Sequence, residues 1–320
     1  MCKENDREHE RQVEEDFDRF VRQELLNAAN EMRKERELPP LTEDEVKQVN
    51  IMGISVRGID NFSKKHVILF SSIIFLFAMP VAWGLLYPVT HLLGNLWAET
   101  IQYTVTAVLS IVFMYCIWRT SIFSFRSKRF WKGLFSFGLL GVLGAIGAFI
   151  FSRDVIDLTP TILTFLSCVA MNLAIAVSEE FLFRGVILTA MLRAWNDKEH
   201  SIALATLVCS AIFGIRHLLN LITMPDTIIL TLAQVVFTFM AGLYLCAVFL
   251  RTQNIWICIA IHFLEDFSVS IWEIFSSNAA ASASMDGSVG TAMGMIALQI
   301  PYVIFAILML RDKNWKYNSV

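Results

Sequence analysis

Hydrophobic and polar positions divide this chain into a short amphipathic part and a long apolar one. Over residues 10–36, Val13, Phe17, Phe20, Val21, Leu25, Ala28 and Met32 recur at helical spacing in a charged background. This pattern predicts an amphipathic helix. It suits either docking on the rest of the protein or on a partner, or self-association as a short coiled coil. Pro39–Pro40 then breaks the pattern, and Thr42 with Glu45 forms a capping box that opens a second short helix.

From residue 67 the pattern changes to long apolar runs, at 67–87, 100–118, 133–151, 161–180 with a continuation to 195, 201–219, 227–250, 255–275 and 291–310. Each is near the ~20 residues that cross a bilayer. The prediction is an all-α, polytopic membrane helical bundle of about eight transmembrane helices with a cytoplasmic N-terminal helical extension. Three parts are expected: the polar extension 1–66, the membrane domain 67–311 and a short tail 312–320.

Composition supports this picture. The 320 residues are 56% hydrophobic and 17% charged, with a mean hydropathy of +0.56, far from the soluble average. Residues 1–66 hold 12 of the 26 Lys and Arg and 16 of the 29 Asp and Glu. No basic stripe suggests nucleic acid, so the expected partners are membrane lipids, a peptide or protein substrate, and whatever the N-terminal helix engages. Five of the six cysteines lie in apolar runs without paired spacing, which reads as small hydrophobes.

Loop charge gives an orientation. Lys64 and Lys65, then Arg119, Arg126, Lys128, Arg129 and Lys132, then Arg251, then Arg311, Lys313 and Lys316 fall on one side; His91 and Glu99, then Arg153, Asp154 and Asp157, then Asp226, then Asp286 fall on the other. The basic side is cytoplasmic. A multi-pass cell-membrane protein with both termini cytoplasmic is therefore expected. Gly138, Gly141, Gly144 and Gly147 line the third run and read as a helix-packing surface. The Ser/Ala-rich stretch 276–290 reads as an extracytoplasmic loop.

A few ionisable groups lie inside the apolar runs, where each costs ~2.5–3.5 kcal/mol on an insertion scale unless paired or useful. Glu180 and Arg184 are four residues apart and share a helix face, as do His262 and Asp266. The polar turn at 196–200 is equidistant from Glu180 and His217, so an antiparallel hairpin sets the two at one depth. Its arms are long enough to protrude into the cytosol. Arg216, Glu265 and Glu273 find no partner in this scheme, and Arg216 is expected to snorkel.

Peptide hydrolysis needs a base for water, a second group to orient it, and donors for the oxyanion. Glu and His on separate helices supply such a set. Glu179, His217 and His262 are also the candidate ligands should zinc or another divalent metal take part. Glu, His and Asp chains equally build proton relays, which leaves a proton-coupled transporter as an alternative.

The motifs Glu179-Glu180-x-x-x-Arg184, Phe213-x-x-x-His217 and His262-x-x-x-Asp266, in this order on late membrane spans, resemble the CAAX protease and bacteriocin-processing (CPBP, Abi-type) family of intramembrane peptidases. The resemblance covers residues 160–270. It implies an endopeptidase whose substrate is a lipidated or membrane-associated protein tail, prenylated in some members, or a peptide precursor. It also implies roles: Glu179 activates water with His217, Glu180 pairs with Arg184 to hold the site, and His262 stabilises the oxyanion. The family's third motif usually ends in Asn. Asp266 cannot donate an amide hydrogen bond, so it would instead orient His262 or bind a metal. A catalytically silent immunity or scaffold member of the family is the second alternative.

Overall fold

The computed structural model describes residues 50–51, 54–76, 95–118, 127–152, 156–195, 200–276 and 289–311. The helix expected over 10–36, the Pro39–Pro40 break with its Thr42–Glu45 cap, most of the 276–290 loop and the 312–320 tail lie outside them. The chain divides into two units, Met1–Asn61 and Phe62–Val320. The described part of the first is an antiparallel pair of two-residue strands, Asn50–Ile51 and Ile54–Ser55, with the opening of helix α1, Val56–Lys65.

The second unit is a helical bundle. After Val67–Leu76 (α2) come Asn95–Trp118 (α3), Ser127–Ser136 (α4), Leu139–Phe151 (α5), Ile162–Ala194 (α6), Ser201–Arg216 (α7), Ile228–Thr252 (α8), Ile255–Glu273 (α9) and Val289–Arg311 (α10), the last interrupted at Gln299 just before Pro301. Among the described residues six helices are long and apolar enough to cross a membrane, and up to seven if the bent pair α4–α5 is one span. Of the run expected at 67–87, only 67–76 is described. The protein is a multi-pass membrane protein, and its outward faces suit lipid: Leu143, Leu163, Leu207, Leu232 and Ile304 are all exposed.

The run 133–151, expected as one membrane span, is bent by 69° between α4 and α5. A sharp bend frees backbone groups that a bilayer interior cannot satisfy. Tyr244 of α8 resolves this. Its hydroxyl donates to the Phe137 carbonyl at 2.9 Å and accepts from Gly141 N at 3.1 Å. Three of the four glycines pack as expected: a Cβ at Gly138 or Gly141 would meet Ile261, and one at Gly144 would meet Tyr302. Gly147 faces open space instead, so the packing stripe is shorter than its sequence spacing.

The core lies where α6, α8 and α9 converge. From Ser178 to Leu192 every residue is buried, as are Tyr244–Leu250 of α8 and Ile255, Ile257, Cys258 and Ile261 of α9. Residues 181–192 form the centre of the bundle, enclosed by α3, α7, α8 and α9. Small residues such as Gly185, Ala190, Ala205 and Ala247 are buried here and allow the close approach.

Candidate active site

Helix α6 starts at Thr161, whose Oγ1 accepts from Thr164 N at 3.1 Å. It runs as an α-helix to Glu180, then as a π-helix from Phe181 to Leu188, then again as an α-helix. A π segment is wider than an α turn and often accompanies a functional site. Arg184 sits within it, four residues from Glu180, and its Nη1 donates to Glu180 Oε1 at 2.7 Å with both side chains fully buried. The guanidinium also lies 4.7 Å over the Phe213 ring, and its Nη2 donates to the Gly242 carbonyl at 3.4 Å.

The return arm is α7. Cys209 Sγ lies 3.3 Å from the Phe183 carbonyl, and the Phe183 and Phe213 rings meet edge-on at 4.9 Å. These contacts are those of the antiparallel hairpin expected about residues 196–200. At its end α7 tightens into a 3-10 turn, His217–Leu219. His217 Nδ1 lies 3.2 Å from the Phe213 carbonyl and 3.3 Å from Thr238 Oγ1. A carbonyl only accepts, and the Thr238 hydroxyl proton already points to Gln234 O at 2.6 Å. The neutral ring therefore carries its proton on Nδ1 and leaves Nε2 as the basic nitrogen.

The third motif is set by a tight turn. Gln253 takes φ 50° to close α8, with its N–H on the Phe249 carbonyl, and Asn254 Oδ1 then caps α9 by accepting from Trp256 N at 3.0 Å. Two turns later His262 lies between carboxylates. Its Nδ1 is 2.7 Å from Glu180 Oε1, and its Nε2 is 3.3 Å from Asp266 Oδ2 and 3.8 Å from Glu179 Oε2. Carboxylates only accept, so a ring bonded on both sides donates from both nitrogens.

Five of the six residues singled out from the sequence are thus joined by side-chain contacts: Glu179, Glu180, Arg184, His262 and Asp266. His217 reaches them through Phe213, whose ring is 5.6 Å from His217 and 6.1 Å from His262. Among the described residues no direct hydrogen bond joins His217 to Glu179. Two partners were not foreseen. Arg216 does not snorkel: its Nη1 donates to Glu179 Oε1, and its Nη2 lies 3.3 Å from the Tyr103 hydroxyl of α3. Glu265, one residue off the site face, accepts from the Tyr302 hydroxyl of α10 at 2.5 Å. A charge beside His217 in an apolar helix was a visible signal for Arg216, whereas nothing in the sequence marks Tyr103 or Tyr302.

Glu180 Oε2 and Arg184 Nε are buried without a hydrogen-bond partner. Among the described residues no three His, Cys, Asp or Glu side chains converge as a metal-ligand set. The carboxylates that could contribute are engaged by guanidinium and imidazole groups.

The polytopic helical bundle thus holds carboxylates, guanidiniums and imidazoles together among buried residues. Residues 160–268 match the family model described as type II CAAX prenyl endopeptidase Rce1-like, so this third of the chain is similar to that family. The segment contains all six site residues together with Arg216. No curated protein and no solved structure matches the chain.

Proposed function

We propose that this protein is an intramembrane endopeptidase that cuts a lipidated or membrane-associated protein tail, or a peptide precursor, with water activated by Glu179 and His217. The observation that carries this reading is the buried Glu179–His262–Glu180 contact set, with the basic Nε2 of His217 on the neighbouring hairpin arm. A CAAX-type family assignment over the same residues supports it.

In this reading water is held between Glu179 and His217 Nε2 and gives up a proton as its oxygen attacks the scissile carbonyl. The carbonyl oxygen gains negative charge and is met by the Nε2–H of His262, a donor it shares with Asp266, and the proton passes to the leaving amine as the C–N bond breaks. Glu180 and Arg184 do no proton transfer. They fix Nδ1 of His262 from behind, while Asp266 orients Nε2, a role a carboxylate can fill where an amide donor is absent. The basic loops support cytoplasmic termini and entry of substrate from that side. Residues 1–66 are then the part suited to recruit a partner or a second copy.

The test is cleavage by purified protein of internally quenched peptides, with and without a farnesylated cysteine near the C-terminus. Glu179→Gln and His217→Ala are expected to lower turnover by ~10²–10⁴-fold while leaving the fold intact. Equal cleavage by wild type and both variants refutes the assignment, and a folded wild type inactive on every peptide favours a silent scaffold.

A further inference from the structure

Arg216 enters the site from outside the three motifs, and it changes what Glu179 can do. Its guanidinium takes Glu179 Oε1 and is itself braced by the Tyr103 hydroxyl at 3.3 Å, on a helix beyond the family-matched segment. With Oε1 committed, the carboxylate plane is fixed. Oε2 is then the oxygen left for water, facing His262 Nε2 at 3.8 Å.

Charge gives Arg216 a second consequence. Glu179, Glu180 and Asp266 are arranged around one imidazole, His262. Two guanidiniums oppose them, and that of Arg184 is spent on Glu180. With His262 donating from both nitrogens the group is neutral, three charges of each sign. Glu179, Glu180 and Arg184 are buried, and an uncompensated charge beside them is costly, whereas the Asp266 side chain is 38% exposed. Losing Arg216 leaves one excess negative charge and takes from buried Glu179 its guanidinium, which weighs against the ionised form that serves as base. Removing the charge of Asp266 at the same time restores the balance without touching Glu179.

We infer that Arg216 is a positioning residue for Glu179 and that its charge is matched, through Glu179 and His262, to that of Asp266. The inference rests on the endopeptidase reading above. It makes Arg216 and Asp266 a coupled pair, although nothing in the structure joins them directly.

The test uses the full chain in lipid nanodiscs and an internally quenched peptide carrying a farnesylated cysteine. Wild type, Glu179→Gln, Arg216→Gln, Arg216→Lys, Asp266→Asn and the Arg216→Gln/Asp266→Asn double variant are compared for kcat, KM and melting temperature. Arg216→Gln is expected to lower kcat on the order of 10²-fold, the scale of a misplaced reacting group, with KM changed less than about threefold. Arg216→Lys, which keeps the charge but not the fork, falls between them. Adding Asp266→Asn to Arg216→Gln is expected to recover kcat by ~10-fold, a non-additivity that independent sites do not show.

Wild-type kcat in Arg216→Gln, a loss confined to KM, or a double variant worse than Arg216→Gln overturns the inference. Should Arg216→Gln not fold, Arg216→Lys decides. A lowered kcat at normal KM that Asp266→Asn does not raise supports the inference, because Lys keeps the charge, and any other result overturns it. If the folded wild type does not cleave, the endopeptidase reading fails by itself, and coupling is read from melting. A double variant that melts above Arg216→Gln sustains the charge match, and one that melts at or below it removes it.

Discussion

Replacing Arg184 by Met probes the structural half of the site. The substitution keeps a long side chain in the π segment but removes the guanidinium that holds Glu180. Glu180 Oε2 already lacks a partner, so the carboxylate would keep only His262 at 2.7 Å, in a place with no exposure to solvent. Breaking one side of a buried ion pair costs ~3–5 kcal/mol. Loss of the cation from the Phe213 ring, 4.7 Å away, adds ~0.5–2 kcal/mol. The expected destabilisation is about 3.5–7 kcal/mol, a large part of the ~5–15 kcal/mol that holds a typical domain together. Equilibrium unfolding in mixed micelles of increasing SDS fraction, followed by tryptophan fluorescence, measures it. Adding Glu180→Gln should return at least half of the loss, because a pair replaced on both sides leaves no buried charge, and Gln still accepts from His262. A change under ~1 kcal/mol for Arg184→Met, the size of an exposed pair, would refute the reasoning.

Other expectations are read from the same structure. Gly141→Val, whose side chain would press on Ile261 and Tyr244, should destabilise by ~1–3 kcal/mol. Gly147→Ala meets nothing and should gain a few tenths of a kcal/mol or more, ~0.4–1 where the backbone is already helical; thermal unfolding of the two side by side checks both signs. Tyr302→Phe removes the donor to Glu265 and should lower stability by ~1–3 kcal/mol with kcat unchanged, since Glu265 faces α10 and not the reacting groups. Unfolding and cleavage measured on one preparation separate these outcomes.

The hairpin shows how far spacing alone reaches. The turn at 196–200 relates Glu180 to His217 by a rise per residue that is constant, so the depth of the two residues follows from counting. The contacts of Phe183 with Phe213 and of Glu179 with Arg216 bear out that antiparallel fold-back. Counting gives depth but not surroundings. The arm 181–192 is apolar and ends in a polar turn, which fits a projecting hairpin as well as a central one. It is central because α3, α8 and α9 close around it. Likewise Gly138 and the glycines near it are compatible with a straight or a bent helix. The 69° bend stands because Tyr244, over a hundred residues away, satisfies the carbonyl it frees.

For the site the division is similar. Local periodicity on its own pairs Glu180 with Arg184 and His262 with Asp266, because four residues on a helix return to one face. The cost of charge in an apolar span marks these groups, and Arg216 with them, as needing a reason to be there. Which carboxylate meets which cation across helices is outside that logic. Direction of approach, not sequence distance, turns Arg216 inward onto Glu179 rather than outward to the interface, and places Tyr103 behind it. The same holds for Phe213, whose ring touches Arg184, His217 and His262 together. The sequence by itself determined that this is a polytopic helical membrane protein and that Glu180 shares a face with Arg184 and His262 with Asp266, since these follow from hydropathy and helical period. Only the tertiary structure decided the partners, because electrostatic pairing in a low-dielectric interior depends on distances between helices that no single helix encodes.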